Sequence, residues 1–264
     1  MIVDGKKIRD EILSELKVNF ASIGGATLAV VWVGGDKATA KFVEYKKKVA
    51  ETIGVKLKIF EYEDTIIQAD LEQELKRLTI DSDINGIIIQ LPLPKQIDSV
   101  KIMALIPPAK DVDALSPEST VVSPVVATVA EILKRYRVNL AKNKFVVVGK
   151  GKLVGRPVAV WLASEGAEVS ILDSQTKDIT TPLKQADVII SGIGRPGFIT
   201  PKLIKNGVVL LDAGTSEQTG RLAGDIDPAC AKKASLFTPV PGGIGPIVLA
   251  MLFKNLWKLS HSTK

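Results

Sequence analysis

The sequence predicts an α/β protein of two lobes, and three observations lead to that fold class. Apolar runs rich in Val, Ile and Leu alternate with stretches of helical period, and this alternation occurs twice along the chain. The runs are apolar almost without interruption, as is typical of parallel strands covered on both faces. A length of 264 residues accommodates two domains of ordinary size. We therefore expect two α/β lobes with a cleft between them.

The first series of elements lies between residues 27 and 94. The predicted strands are TLAVVWV (27–33), KLKIFEY (56–62) and GIIIQLPLP (86–94), and the predicted helices cover 38–53 and 68–78. A segment rich in Pro and Asp, PPAKDVDALSPE (107–118), follows this series. Next comes TVAEILKRYRV (128–138), where apolar residues recur at helical spacing.

The second series repeats the alternation and defines the second lobe. The predicted strands are FVVVGKG (145–151), EVSILDS (168–174), ADVIISGIG (186–194) and GVVLLDAG (207–214), and the predicted helices cover 155–165 and 201–205. A last helix over 245–260 is expected to pack back on the first lobe. The predicted domains are therefore 1–127, completed by 245–264, and 128–244.

Charge and hydropathy exclude several classes of partner. The chain has 35 Lys and Arg against 29 Asp and Glu, a net charge of +6 that suits an anionic small molecule or a weak nucleic-acid contact and does not decide between them. The basic residues are not interleaved with aromatic ones, which argues against a nucleic-acid partner. No run reaches the ~18 apolar residues of a membrane span, and charges occupy the N-terminal segment where a signal peptide needs an apolar run. We expect a cytoplasmic protein without a membrane partner.

The single cysteine and the single histidine limit the possible chemistry. Cys230 excludes an internal disulfide, and His261 lies in a polar tail. A Ser-His-Asp triad or a histidine-based metal centre is therefore not predicted, and we expect no metal. The chemistry must come from lysine, carboxylates, amides, hydroxyls, the backbone or a cofactor.

A glycine turn marks the second lobe. Three valines run directly into GKGKLVGRP, in which Gly149, Gly151 and Gly155 form G-K-G-x-x-x-G, one residue longer than the common G-x-G-x-x-G. Glycines in such a turn allow backbone amides to approach a phosphate at the start of a helix. The pattern predicts a Rossmann-like dinucleotide-binding lobe, and an ordinary strand-to-helix turn is the alternative.

The choice between NAD and NADP depends on the end of the next strand. Asp173 stands there, and a carboxylate at that point favours the free 2′-hydroxyl of NAD. Lys150 or a hydroxyl-bearing neighbour such as Ser174 favours the 2′-phosphate of NADP. Asp173 also fits a purely structural role in the turn after the strand.

Four motifs together carry a family resemblance. The segments are GIIIQLPLP (86–94), KDVD (110–113), VVVGKGKLVGRP (146–157) and TPVPGGIGPI (238–247). In this order, over nearly the whole chain, they resemble the bifunctional methylenetetrahydrofolate dehydrogenase/cyclohydrolase family. The resemblance implies oxidation of 5,10-methylenetetrahydrofolate with NADP, or with NAD, and hydrolysis of the methenyl product to 10-formyltetrahydrofolate. It also implies a homodimer formed through the cofactor lobe.

The resemblance implies three catalytic residues. A lysine in the run around residue 46 is by itself most often part of a solvated face. The family carries Y-x-x-x-K on the helix after its first long strand, and Lys46 falls on that lysine with Phe42 on the tyrosine. By the same resemblance, Gln90 hydrogen-bonds and holds Lys46, and Asp113 binds the pterin, whereas Asp111 is structural.

The remaining site residues also follow from the resemblance. The substrate-binding residues it implies are Phe42, Ile89, Leu91, Pro241, Gly242, Gly243 and Ile247. The cofactor-binding residues it implies are Gly149, Lys150, Gly151, Gly155, Asp173, Ser174 and Thr215.

The sequence departs from the family pattern around the substrate. Phe42 lacks the tyrosine hydroxyl, Ala114 replaces the glycine after KDVD, and Ile247-Val248 replaces Met-Thr. These departures leave alternatives open. One is a cyclohydrolase alone, or an enzyme for a related pterin, on the same fold. Another is a non-catalytic relative that binds a pterin or nucleotide.

Overall fold

The structure, a computed structural model, describes residues 1–35, 37–116, 118–218 and 221–261. The α-helices are α1 (Gly5–Ser22), α2 (Lys37–Thr52), α3 (Gln68–Ile80), α4 (Ser99–Ala104), α5 (Pro124–Arg135), α6 (Gly155–Ser164), α7 (Thr180–Gln185) and α8 (Ile244–His261). The β-strands are β1 (Ala26–Val33), β2 (Val55–Tyr62), β3 (Gly86–Gln90), β4 (Lys144–Val148), β5 (Glu168–Leu172), β6 (Val188–Ser191), β7 (Val209–Asp212), β8 (Ser216–Gln218), β9 (Arg221–Ala223) and β10 (Leu236–Phe237). Short 3-10 helices cover Pro108–Lys110, Pro201–Leu203 and Pro228–Lys232.

The chain divides into two compact units. One consists of residues 1–9 and 125–248, and the other of residues 10–124 and the described residues from Leu249 onward. We name them the five-stranded unit and the three-stranded unit after their main sheets. The domain limits drawn from the sequence, 1–127 with 245–264 and 128–244, stay a prediction.

The three-stranded unit is built on a parallel sheet of order β2-β1-β3. One face of this sheet packs on α3, through Ala29, Val31 and Val33 against Leu71, Leu75 and Leu78. Close packing also fixes the start of β3. A Cβ on Gly86 would lie 2.6 Å from Val112 Cγ1 and 2.7 Å from Leu256 Cδ1, so only glycine fits beneath α8. The sheet thus ends at a point where Gln90 follows four buried residues of β3.

The five-stranded unit contains a parallel sheet of order β10-β7-β6-β4-β5. Its core packs Val146 and Val148 with Ile189, Leu210 and Phe237. Among the five strands of this sheet, β4 comes first in the chain, and it lies between β5 on one side and β6 on the other. The order in which successive strands are added to the sheet therefore reverses at β4. Ligands of open α/β sheets bind at such a reversal, beyond the carboxyl ends of the strands.

Several elements differ from the sequence prediction. Strand β3 ends at Gln90 and not at residue 94, because Pro92 and Pro94 have no N–H to donate to a sheet ladder. The helix predicted over 201–205 is a 3-10 turn, Pro201–Leu203. Helices α1, α4 and α7 were not predicted. Within the described residues, no helix is both long and apolar enough to cross a membrane.

Candidate active site

Lys46 and Gln90 meet in the three-stranded unit. Lys46 lies on α2, and Gln90 is the last residue of β3. Lys46 Nζ donates a hydrogen bond to Gln90 Oε1 at 2.7 Å. Gln90 Nε2 donates to the carbonyl oxygen of Leu91 at 3.0 Å, which leaves the amide oxygen turned toward the lysine. The strand end therefore holds the amine in one place.

Asp113 is the third charged or polar group at this site. Burial lowers the pKa of Lys46, and the negative charge of Asp113 partly opposes that change. Burial raises the pKa of Asp113 to about 6, with the charge of Lys46 opposing the rise and that of Asp111 adding to it. Near neutral pH, both groups therefore exchange protons more readily than exposed groups of their kind, which suits acid–base chemistry.

The other charged residues of KDVD hold the chain that carries Asp113. Lys110 Nζ donates to the carbonyl oxygen of Asp81 at 2.6 Å and so caps the end of α3. The Asp111 carboxylate accepts N–H groups from Leu115 at 3.2 Å and Ser116 at 2.8 Å. Burial raises the pKa of Asp111, and these N–H groups oppose the rise. Asp111 therefore has a structural role, because its carboxylate holds the turn that carries Asp113.

Helix α8 anchors the same segment from the other side. Asn255 is buried, and its Nδ2 donates to the carbonyl oxygens of Val112 at 2.9 Å and Val122 at 2.8 Å. One amide therefore ties together the residue before Asp113 and the segment that follows the KDVD turn. No local pattern predicts these two contacts, because Asn255 lies 143 and 133 residues from its partners in the chain.

The predicted substrate residues of this unit differ in exposure. Phe42 lies one helical turn before Lys46 on α2, and its ring is 51% exposed, which leaves a face available for stacking. Leu91 is half-buried. Ile89 is only 2% exposed and belongs to the sheet core, so any contact it makes with a ligand must come from its main chain.

The predicted loop at 241–243 lies in the five-stranded unit and is tightly packed. A Cβ on Gly243 would lie 2.6 Å from the carbonyl oxygen of Pro239 and 2.8 Å from Thr238 Cβ. Gly242 has φ +104°, a conformation that favours glycine, and the space beside it is open. Pro241 is exposed, whereas Ile247 is fully buried in α8. The side chain of Ile247 is therefore packed in the protein interior, and its contact with the substrate stays a prediction.

The glycine turn after β4 fits a dinucleotide diphosphate. Gly149 has φ +104°, and a Cβ there would lie 2.6 Å from Ile193 Cγ2. A Cβ on Gly155 would overlap the carbonyl oxygen of Gly149, whereas one on Gly151 would meet open space. Helix α6 begins at Gly155 without a side-chain cap. Its positive end and the open face of the turn are therefore available to an anion.

The residues predicted to read the ribose lie beyond β5. Asp173 Oδ1 accepts the N–H of Gln175 at 2.9 Å and the hydroxyl of Thr176 at 3.3 Å. This carboxylate thus holds the turn, which is the structural alternative considered for it. Lys150, Ser174 and Thr215 are exposed.

Two buried carboxylates organise the loops next to the glycine turn, and the sequence prediction missed both. Asp225 Oδ2 accepts the hydroxyl of Ser191 at 2.8 Å and the N–H of Ile193 at 2.7 Å. Its Oδ1 accepts the N–H of Arg195 at 2.7 Å. Asp225 therefore fixes the loop after β6, which contacts Gly149 through Ile193.

Asp212 stands at the end of β7 and completes this pair. Its carboxylate accepts N–H groups from Gly214 at 3.0 Å, Asp225 at 3.1 Å and Ile226 at 2.9 Å. Burial raises the pKa of Asp212 to about 6, opposed by these N–H groups. Glycines make room for both side chains, since a Cβ on Gly214 would overlap Asp225 and one on Gly224 would overlap Asp212. The sequence signal that could have indicated Asp212 is an acidic residue near the end of a predicted strand with a glycine two residues later.

The fold and the two sets of residues define a class: an enzyme with a dinucleotide-binding α/β unit and a second α/β unit that carries a partly buried lysine, an amide and a carboxyl group. Residues 3–113 match the family model described as tetrahydrofolate dehydrogenase/cyclohydrolase, catalytic domain. Residues 123–264 match the model for the NAD(P)-binding domain of the same family. The chain belongs to the tetrahydrofolate dehydrogenase/cyclohydrolase family.

Individual relatives agree with this assignment. The bifunctional protein FolD of Staphylococcus aureus is 39% identical over 269 residues, which cover 96% of this chain and 94% of the relative. The crystal structure of FolD from Campylobacter jejuni has a TM-score of 0.97 and 33% identity, covering 100% of this chain and 99% of the other. FolD from Trypanosoma brucei, solved with NADP and an inhibitor, has a TM-score of 0.94 and 31% identity, with coverage of 100% and 98%. The predicted family, fold class and enzyme class are confirmed.

Proposed function

We propose that the protein oxidises 5,10-methylenetetrahydrofolate to 5,10-methenyltetrahydrofolate with NADP and hydrolyses that product to 10-formyltetrahydrofolate. Both domain models of the family match, which supports the pair of reactions. The observation that carries the proposal is the hydrogen bond of 2.7 Å between Lys46 Nζ and Gln90 Oε1, with Asp113 acting on the charge of the same lysine. This is the set of groups that the resemblance assigns to catalysis.

In the hydrolytic step, Lys46 handles a proton near N10. Water adds to the methenyl carbon of the cationic substrate, the ring opens to the formyl product, and one proton is released. A neutral amine accepts that proton, and burial of Lys46 favours the neutral form. Gln90 holds Nζ in place through its amide oxygen. Asp113 accepts hydrogen bonds from the ring N–H and amino group of the pterin.

The five-stranded unit binds the dinucleotide. When bound, NADP would supply the acceptor for the hydride that leaves the methylene carbon. The protein's part is to hold the diphosphate at the turn of Gly149, Gly151 and Gly155, with the positive end of α6 behind it. Lys150 and Ser174 are exposed and suit a 2′-phosphate, whereas the carboxylate of Asp173 is engaged in its own turn. We therefore propose NADP, with NAD as the alternative cofactor.

A second copy of the chain is the proposed partner. Strand β5 is the last strand of the five-stranded sheet, and among the described residues no strand pairs with its outer side. Ile171 on β5 is 39% exposed, and Val160 on the adjacent α6 is 63% exposed. An apolar open edge of this kind suits pairing with the same edge of a second copy. We propose a cytoplasmic homodimer without a nucleic-acid or membrane partner.

Sedimentation tests the dimer. Ile171→Lys places a charge on the open edge and is expected to shift the protein from dimer to monomer. Ile80→Lys is the matched control, since Ile80 is 83% exposed on α3 of the other unit and should leave the dimer intact. A monomeric parent protein, or equal behaviour of the two variants, contradicts the proposed interface.

An assay of the purified protein tests the function. Methylenetetrahydrofolate is supplied with NADP or with NAD, and methenyl product is followed by its absorbance; hydrolysis is measured separately with added methenyltetrahydrofolate. Both reactions should proceed, with NADP the better acceptor. Hydrolysis without oxidation favours the cyclohydrolase alternative. Ligand binding with neither reaction favours the non-catalytic alternative.

A further inference from the structure

The N-terminal segment is part of the five-stranded sheet. Phe237 N donates to the carbonyl oxygen of Met1 at 2.9 Å, and Val3 N donates to the carbonyl oxygen of Phe237 at 2.9 Å. Ile2 and Phe237 form a parallel bridge, so residues 1–3 run beside β10. Val3 is buried. Terminal residues are commonly loose unless a sheet holds them, and here a sheet does.

Immediately after this segment, Gly5 touches the loop of residues 241–243. Asp4 Oδ1 accepts the N–H of Lys7 at 3.0 Å and caps the start of α1. Gly5 N donates to the carbonyl oxygen of Gly242 at 3.0 Å. A Cβ on Gly5 would overlap the carbonyl oxygen of Gly243 and lie 2.8 Å from its carbonyl carbon.

Gly243 has no free space on its other side. Gly243 already approaches the carbonyl oxygen of Pro239, to which its N–H donates at 2.7 Å, and any Cβ on it would meet Thr238. The backbone of Gly243 is therefore held between Gly5 and residues 238–239. A side chain at Gly5 has to push the loop outward or move the start of α1.

The need for glycine at residue 5 comes from the loop and not from the helix. Gly5 is the first residue of α1, and its φ does not lie in the left-handed region that favours glycine. Alanine is the better residue in a helix, by about 1 kcal/mol in an interior position. Without the loop, alanine would be expected to leave this helix unchanged or to stabilise it.

We propose that Gly5 is a positioning residue for the dehydrogenase step, because its N–H and its missing side chain set the position of residues 241–243. The proposal rests on the proposed function and on the family resemblance, which implies that residues 241–243 bind the substrate. Hydride transfer depends on the alignment of two rings, and a misplacement of about 1 Å can cost ~100-fold in rate. Lys46, Gln90 and Asp113 are carried by other elements, so hydrolysis is expected to be affected less.

The test is Gly5→Ala in the full chain. Methenyl formation from methylenetetrahydrofolate and NADP is measured as kcat and KM, beside kcat for hydrolysis of added methenyltetrahydrofolate and the thermal unfolding midpoint. The expected result is a dehydrogenase kcat about 10- to 100-fold lower. The hydrolysis kcat is expected to change by less than about threefold. Lys6→Ala, an exposed neighbour on the same helical turn, is the matched control and should leave both rates unchanged.

Two results would overturn the proposal. One is a full dehydrogenase rate in Gly5→Ala. The other is a fall of both activities by the same factor, in step with the folded fraction, which would make Gly5 a residue of stability alone. If Gly5→Ala does not fold, Val3→Pro removes the N–H given to Phe237 without adding an overlap at the loop, and it should lower the dehydrogenase rate selectively by a few fold. Failure of the proposed function is a separate result, namely no methenyl formation by the parent protein.

Discussion

Ala114 directly follows Asp113 and offers a test of how the KDVD turn is built. Its φ is +53°, in the left-handed region, where the family pattern has glycine. The left-handed conformation costs a non-glycine residue about 1–2 kcal/mol. Glycine loses more backbone freedom on folding than alanine, a cost of about 0.5–1 kcal/mol. Ala114→Gly is therefore expected to stabilise the protein by about 0.5–1 kcal/mol.

Urea unfolding at pH 7 measures this gain, as a higher midpoint with an unchanged slope. Arg137→Gly is the matched control, because Arg137 is exposed and has φ +56°. Arg137 lies just after the end of α5 in the five-stranded unit, where Val138 N donates to the carbonyl oxygen of Leu133 at 2.9 Å. The Arg137→Gly substitution should stabilise the protein by a similar amount without changing either activity. A gain for Arg137→Gly together with a loss for Ala114→Gly would contradict the expected gain, since the Ala114 methyl group would then contribute more by packing than its backbone conformation costs.

Three further predictions concern charge and substrate contact. Because the pKa of Asp212 is raised to about 6 from 3.8, the folded state binds the proton more tightly, and stability falls as pH rises through that window. From pH 4 to 7, the stability of the parent protein relative to Asp212→Asn should fall by roughly 2 kcal/mol, measured by urea unfolding; a constant difference contradicts this. Phe42→Tyr should lower KM for the folate about two- to tenfold by restoring one hydrogen bond, and an unchanged KM would show that the hydroxyl has no partner. As pH falls through about 6, protonation of Asp113 should lower kcat/KM with methylenetetrahydrofolate, and a flat profile from pH 5 to 7 argues against its role.

The sheets could be predicted well from the sequence, and their limits could not. The apolar runs are continuous because parallel strands are covered on both faces, so each strand can be recognised directly in the sequence. The end of β3 at Gln90 depends on Pro92 and Pro94, which alternate with Leu91 and Leu93, so that the apolar run itself does not mark where the strand ends. Helix α1 is missing from the prediction, although Ile8, Ile12, Leu16 and Phe20 recur at four-residue spacing and are buried.

The candidate site was also predicted only in part: some of its residues could be named in advance, but most of the contacts that hold them could not. The resemblance led to Lys46 and Gln90, and their hydrogen bond is present in the structure. The resemblance also assigned Asp113 to the pterin and a structural role to Asp111. The backbone N–H groups that bind the Asp111 carboxylate are visible only in three dimensions. The pairing of Asp225 with the loop after β6 joins residues more than 30 apart in the chain. No local pattern encodes such a contact, because it depends on how the strand ends are brought together.

The most direct test of the catalytic assignment is Lys46→Ala beside Lys47→Ala, the exposed neighbour on α2. Both variants are supplied with methylenetetrahydrofolate and NADP, and methenyl absorbance is followed with time. Methenyl product should accumulate with Lys46→Ala, because hydrolysis fails while hydride transfer continues, and Lys47→Ala should behave as the parent protein. An equal decline of oxidation and hydrolysis in Lys46→Ala would contradict the role given to this lysine.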